Sequence, residues 1–236
     1  MKKIKLLLFI FITNSLLLPN TFSYTDIAIQ DGGRIKPLDS FARNQLLSVY
    51  GKRSIKADNM PAIEWLINLL AAPKEGFSQK VFKLRSPEVV QSLGLEWDNV
   101  HTYTYHEILS GLESQKELLR QIHEKPDEEL SIIDAQLKEL HANFQKFANM
   151  WWYLKIIPPE SQNPDDPWIS PWQVESEQSL SENQRNLLFN FLDFLNKRQE
   201  NDSDGMLNAL ANYEVELNTN FNNLVDTNRL ILETKY

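Results

Sequence analysis

Apolar residues along this chain recur mostly three and four positions apart, the period of a helix with one buried face, and only seven of its 236 residues are glycine. The spacing predicts a mainly α fold: a helical domain with a long antiparallel helix hairpin and a few short strands near the N-terminus. One stretch departs from that period, QDGGRIKPLDSFARNQL from Gln30 to Leu46. It is expected to run extended from Ile27 to Gln30, turn at Asp31-Gly32-Gly33, and run extended again to Lys36. Pro37 and Asp39 suit the first turn of a following helix, with Leu38, Ala42, Leu46 and Val49 as its stripe and Gly51 as its left-handed stop. A second helix opens at Pro61 and closes before Pro73, with Ile63, Leu66, Ile67 and Leu70 on one side.

Val81, Phe82 and Leu84 then suit a short strand, and Ser86, Pro87 and Gly94 bracket a short helix. Thr104 and Glu107 have the capping-box spacing, and Tyr103 and Ile108 fall where a hydrophobic staple would close over it. Two long helices are expected beyond it. One runs from about Tyr105 to Glu124, and the other, opened by Pro126 and Asp127, carries Leu130, Ile133, Leu137, Leu140, Phe144, Phe147, Trp151 and Leu154 at heptad spacing. The short link at Lys125-Pro126 makes an antiparallel hairpin the natural arrangement, with a homo-oligomer built through the same seam as the alternative.

Five prolines and two tryptophans in IIPPESQNPDDPWISPWQV end that helix in an irregular segment, and Trp168 and Trp172 are expected to anchor it to the domain. Ser181 and Gln184 open a further helix through Leu187, Leu188, Phe191 and Leu195, and a last one begins near Met206. The chain thus divides into 1–23, an N-terminal α+β part at 24–104, the helix hairpin at 105–157, a Pro/Trp loop at 158–180 and C-terminal helices at 181–236.

The first of these segments has the three parts of a secretory signal peptide. Lys2, Lys3 and Lys5 precede an apolar run from Leu6 to Leu18, and Pro19 leads to small residues at Thr21 and Ser23. Its apolar core is shorter than the ~20 residues a membrane span needs, so cleavage after Ser23 is expected and an uncleaved anchor is the alternative. Export across the membrane is expected to follow.

The formal net charge is −8, three units more negative without the leader lysines. That excess argues against nucleic acid and anionic lipid as partners, since both are polyanions. Cysteine is absent, which removes thiol catalysis, thiolate metal sites and covalent haem attachment.

His101, His106, His123 and His141 have no zinc-site spacing, and no nucleophile elbow, phosphate loop or dinucleotide fingerprint is present. Trp151-Trp152 invites a cofactor reading, but Trp151 belongs to the seam and Trp152 would widen its buried face. Neither an enzyme, a metal nor a cofactor is expected. The opening stretch has more to offer. Gly32 and Gly33 permit a tight turn, and Arg34, Lys36 and Arg43 could hold a carboxylate, from an acidic side chain or a haem propionate. The plainer arrangement pairs Asp31 and Asp39 with those cations and leaves the stretch a capped helix start.

IQDGGRIKPLDSFAR, Ile29 to Arg43, resembles the signature Q-D-G-R-x-K-P-L-D-T-F-A-R that opens a periplasmic region of system II (CcsA-type) cytochrome c biogenesis proteins. Ser40 stands in place of the commoner Thr, and one glycine is added. PAIEWLINLL, YTYHEI and the Pro-Trp segment are similar, in the same order, to later parts of that region. The resemblance implies a periplasmic docking domain at the inner-membrane surface, with a haem-handling membrane subunit of the maturation system as partner. The tryptophan-rich haem motif of that family is missing here, since MWWYL is not W-G-x-W-W-x-W-D, so no haem ligand carries over. The membrane part is expected on a separate chain or lost to a gene break. Gln30, Asp31, Gly32, Gly33, Arg34, Lys36, Pro37, Asp39 and Arg43 are the candidate partner-binding or structural residues.

Overall fold

The two-residue loop Gly32-Gly33 sets the N-terminal architecture, because both glycines take positive φ (61° and 74°), the requirement of the tightest hairpin turn. In the computed structural model, which describes residues 22–56, 59–161 and 163–235, this turn joins strands β1 (Ala28–Asp31) and β2 (Arg34–Pro37). They pair antiparallel, with Ile29 opposite Lys36 and Asp31 opposite Arg34. Pro37 leads into α1 (Leu38–Tyr50), which buries Leu38, Phe41, Ala42, Leu46 and Val49 and stops at Gly51 with φ 74°.

Two small two-stranded sheets, β3 (Ser54–Ile55) with β4 (Met60–Pro61) and β5 (Phe82–Lys83) with β6 (Thr102–Tyr103), lie among α2 (Ala62–Ala71), α3 (Pro73–Phe77) and α4 (Pro87–Ser92). The Thr104–Glu107 capping box forms and opens α5 (Tyr105–Ser114), with Tyr103 and Ile108 both buried. The expected helix over Tyr105 to Glu124 is broken. Gln115 leaves helical geometry (φ −104°, ψ 17°), and the chain resumes as α6 (Lys116–Glu124).

The second long helix starts later than Pro126. A single 3₁₀ turn spans Asp127–Glu129, and the stronger cap is Ser131, whose hydroxyl and Asp134 form a reciprocal box at the start of α7 (Ile132–Ala148). Asn149 interrupts again, leaving α8 (Met150–Tyr153) as one turn. The longest antiparallel hairpin lies further on, between α9 (Glu182–Glu200) and α10 (Ser203–Asn220), turned by Asn201 at φ 59°. What was expected as one last helix near Met206 is two, since Phe221 ends α10 and Asp226 caps α11 (Thr227–Thr234).

The fold is therefore mainly helical with short antiparallel strands toward the N-terminus, as the spacing predicts. One apolar core runs through it, with Trp65, Trp168, Phe41, Phe147 and Phe191 among its largest fully buried side chains. No helix among the described residues is long and apolar enough to cross a membrane. Residues 1–21, most of the expected leader, lie outside the described residues. Phe22 is buried and stacks on Tyr213 at 6.2 Å, and Ser23 caps a 3₁₀ turn at Tyr24–Asp26.

Candidate functional site

The opening motif is used mainly to hold another part of the chain. β1 pairs with β2 along one edge only, and Gln30 uses the other edge. Its backbone N–H donates to the Lys155 carbonyl at 3.0 Å. Its side chain reaches 136 residues along the sequence, where Nε2 donates to the Asp166 carbonyl at 3.3 Å and Oε1 accepts the Trp168 N–H at 3.0 Å. One amide thus satisfies an acceptor and a donor of the Pro/Trp loop, the way a neighbouring strand would.

The loop is shaped to be held there. Ile157 and Ile169 exchange both backbone hydrogen bonds, 3.1 and 2.9 Å, and close its base. Asp166 accepts from the Ser161 hydroxyl and the Asn163 amide inside it. Gln184 of α9 donates to the Pro158 carbonyl at 2.8 Å, and Ser181 to Glu160 at 2.6 Å. Trp168 is fully buried and is the anchor expected of it, although its indole N–H has no partner among the described residues. Trp172 stays 37% exposed and leans on Trp151 at 5.3 Å. Trp152 does not widen a buried face: it is half exposed, as is Tyr153, because the break at Asn149 turns them outward.

The charges of the motif divide into two groups. Lys36 Nζ lies 2.7 Å from Asp31, a cross-strand pair within the hairpin, and Arg43 lies 2.7 Å from Asp39 one helical turn back. Asp39 is buried, and burial pushes its carboxyl above the ordinary range against the pull of Arg43. Arg34 is exposed and forms no ion pair among the described residues. Together with Lys36, Ser40, Arg43, Asn44, Arg53 and Glu233 it lines a cavity of about 340 Å³.

The seam residues are split. Leu137, Phe144, Phe147 and Leu154 are buried within the chain, Phe144 against Tyr105 (4.9 Å) and Phe82 (5.6 Å). Leu140 and Trp151 are partly buried against the same core. Leu130 precedes α7 and is half-buried, and Ile133 is 39% exposed. The periodicity is real, but it reports burial inside one domain over most of its length.

Three arrangements escaped the sequence. His123 Nε2 and His141 Nδ1 sit 2.9 Å apart where α6 and α7 face each other, although eighteen residues separate them. Burial first, and then the nearby His123 charge, hold His141 below the usual histidine range. Glu64 accepts hydrogen bonds from the Tyr24 hydroxyl and from Arg198 (2.6 Å), tying the N-terminal segment and α9 to α2. Burial and the neighbouring Glu64 push the Tyr24 hydroxyl up to about 12. Arg53 joins the cations of the motif from the loop after α1, and nothing in its own surroundings in the sequence marks it. Among the described residues no group of three or more His, Cys, Asp or Glu side chains is placed to hold a metal ion. No protein-family model matches the chain, and no curated protein matches it.

Proposed function

We propose that this chain is a periplasmic accessory or docking domain of the system II cytochrome c maturation apparatus, non-enzymatic, that contacts the haem-handling membrane subunit. The observation that supports the reading best is the joining of two segments that carry the resemblance. The Gln30 motif and the Pro/Trp loop lie far apart in sequence, and three hydrogen bonds from Gln30 hold the loop and the segment leading into it. A motif needed only to cap a helix has no use for that reach. On this reading the pair forms a preorganised surface, with Trp152, Tyr153 and Trp172 exposed near it as aromatic anchors for a protein partner.

The alternative, a self-associating exported scaffold unrelated to haem handling, has less to draw on. Four of the eight seam residues are already buried inside the chain. A charge placed in the seam, as in Phe144→Asp, would disrupt the core of a monomer as well as any self-association.

The test is recovery of partners by affinity capture from detergent-solubilised membranes, together with a deletion strain assayed for c-type cytochromes. Co-purification of a maturation subunit and a loss of covalently bound haem are expected. Capture of no maturation component, with c-type cytochromes at normal level in the deletion, would overturn the reading.

A further inference from the structure

The cavity beside the opening motif collects positive charge in a chain whose net charge is −8. Two periodicities make it. Arg34 and Lys36 are two apart on β2 and so lie on one face of the strand, while Ser40, Arg43 and Asn44 are spaced three and four apart on one face of α1. Both faces line the one cavity, and Arg53 from the following loop joins them. Glu233, near the end of α11, is the one acid among the described residues of the lining.

The cations differ in how far their charge is used. Asp31 and Asp39 pair with Lys36 and Arg43, each at 2.7 Å, which restrains the two side chains while leaving further N–H donors on both. Arg34 and Arg53 form no ion pair among the described residues and are exposed. Lys36 and Arg43 are already neutralised by those aspartates, so the charge left for an anion entering the concavity is that of Arg34 and Arg53. Guanidinium forks match the two oxygens of a carboxylate or phosphate, and Ser40 and Asn44 add neutral donors. At about 340 Å³ the space is within the roughly 300–1,000 Å³ of small-molecule pockets.

We infer that this cavity is a binding site for a small multivalent oxyanion, a polycarboxylate or a phosphate ester, held chiefly by Arg34 and Arg53 with Lys36 and Arg43 as the prepositioned floor. The site stands on its own geometry and holds whether or not the chain serves cytochrome maturation. Glu233 opposes the ligand and keeps affinity moderate.

Isothermal titration of the folded protein with citrate and, separately, with pyrophosphate at low ionic strength tests it. Saturable one-site binding of at least one probe is expected, weakened at least tenfold in the Arg34→Gln/Arg53→Gln double variant. Glu233→Gln should tighten it two- to threefold, and Arg120→Gln, a cation on the distant α6, should leave it unchanged. Citrate alone binding identifies a carboxylate ligand and pyrophosphate alone a phosphate, and either supports the site. No saturable binding of either probe overturns the inference. So does binding that survives the double variant, whose fold is checked by its thermal midpoint.

Discussion

Two stretches stand out in this sequence, the Gln30–Arg43 motif and the Leu130–Leu154 seam, and the structure uses them in opposite ways. The motif is short, polar and aperiodic, yet one of its side chains, Gln30, fastens a loop 136 residues away. The seam is long, apolar and regular, yet its buried members face no matching helix seam but scattered core residues, Phe144 and Phe147 against Phe82 and Tyr105, while Ile133 is 39% exposed. Regular apolar spacing says that a face is buried. It does not say by what, or over how many turns. A few polar groups at a strand edge can organise a larger part of a surface, because each fills a specific backbone vacancy that nothing else can fill.

The largest expected effect separates the two halves of the seam. Leu137→Ala removes a buried side chain and should cost roughly 2–5 kcal/mol, whereas Ile133→Ala, one turn earlier and 39% exposed, should cost under about 1 kcal/mol. Urea denaturation of the two variants measures this. Equal losses would mean that the first turn of α7 is covered and that the seam acts as one unit.

The motif is tested by Gln30→Ala. It removes two side-chain hydrogen bonds and strands the Trp168 N–H, at a cost of about 2 kcal/mol. The effect should be concentrated in the loop, so limited proteolysis between Pro158 and Ile169 should accelerate more than global unfolding does. A variant with native loop resistance would leave the hairpin without its holding role.

Local signals were legible in the sequence and non-local ones were not. Gly32-Gly33, Gly51, Gly94, the Thr104 and Ser181 boxes and the Pro61 start each depend on two to four neighbouring residues, and each appears where it was read. Nothing local predicts the breaks at Gln115 and Asn149, since neither residue is a strong helix breaker. Tertiary packing turns the chain there, so that α6 meets α7 and Leu154 drops into the core outside the helix. Ser131 won over Pro126 as a helix start because its box satisfies two backbone donors at once, whereas Pro126 forms no side-chain cap bond. In the candidate site, the internal pairing of Lys36 and Arg43 was one of two arrangements the composition allowed. The reach of Gln30 and the arrival of Arg53 depend on where the chain returns, which no local spacing encodes.

The smallest expected effect again contrasts the two regions, now by pH. The bonds from Gln30 involve amides and carbonyls and do not titrate between pH 5 and 8. The α6–α7 hairpin holds the His123–His141 pair instead, faced by Glu113 of α5 and by Lys116 and Arg120 of α6. His141 titrates below its ordinary value of about 6.5, so between that value and the lowered one the unfolded chain binds more protons than the folded chain. Stability should be full above about pH 6.5, fall as the pH drops through that window, and level off below it. Because the pair is half open to solvent, which screens it, the loss should be only a few tenths of a kcal/mol. Urea midpoints at pH 7.5 and 5.0 measure it, compared between the unaltered chain and His141→Gln. A larger acid-induced drop in the unaltered chain is expected, while the same drop in both would place the pH sensitivity elsewhere and leave the two regions alike in this respect.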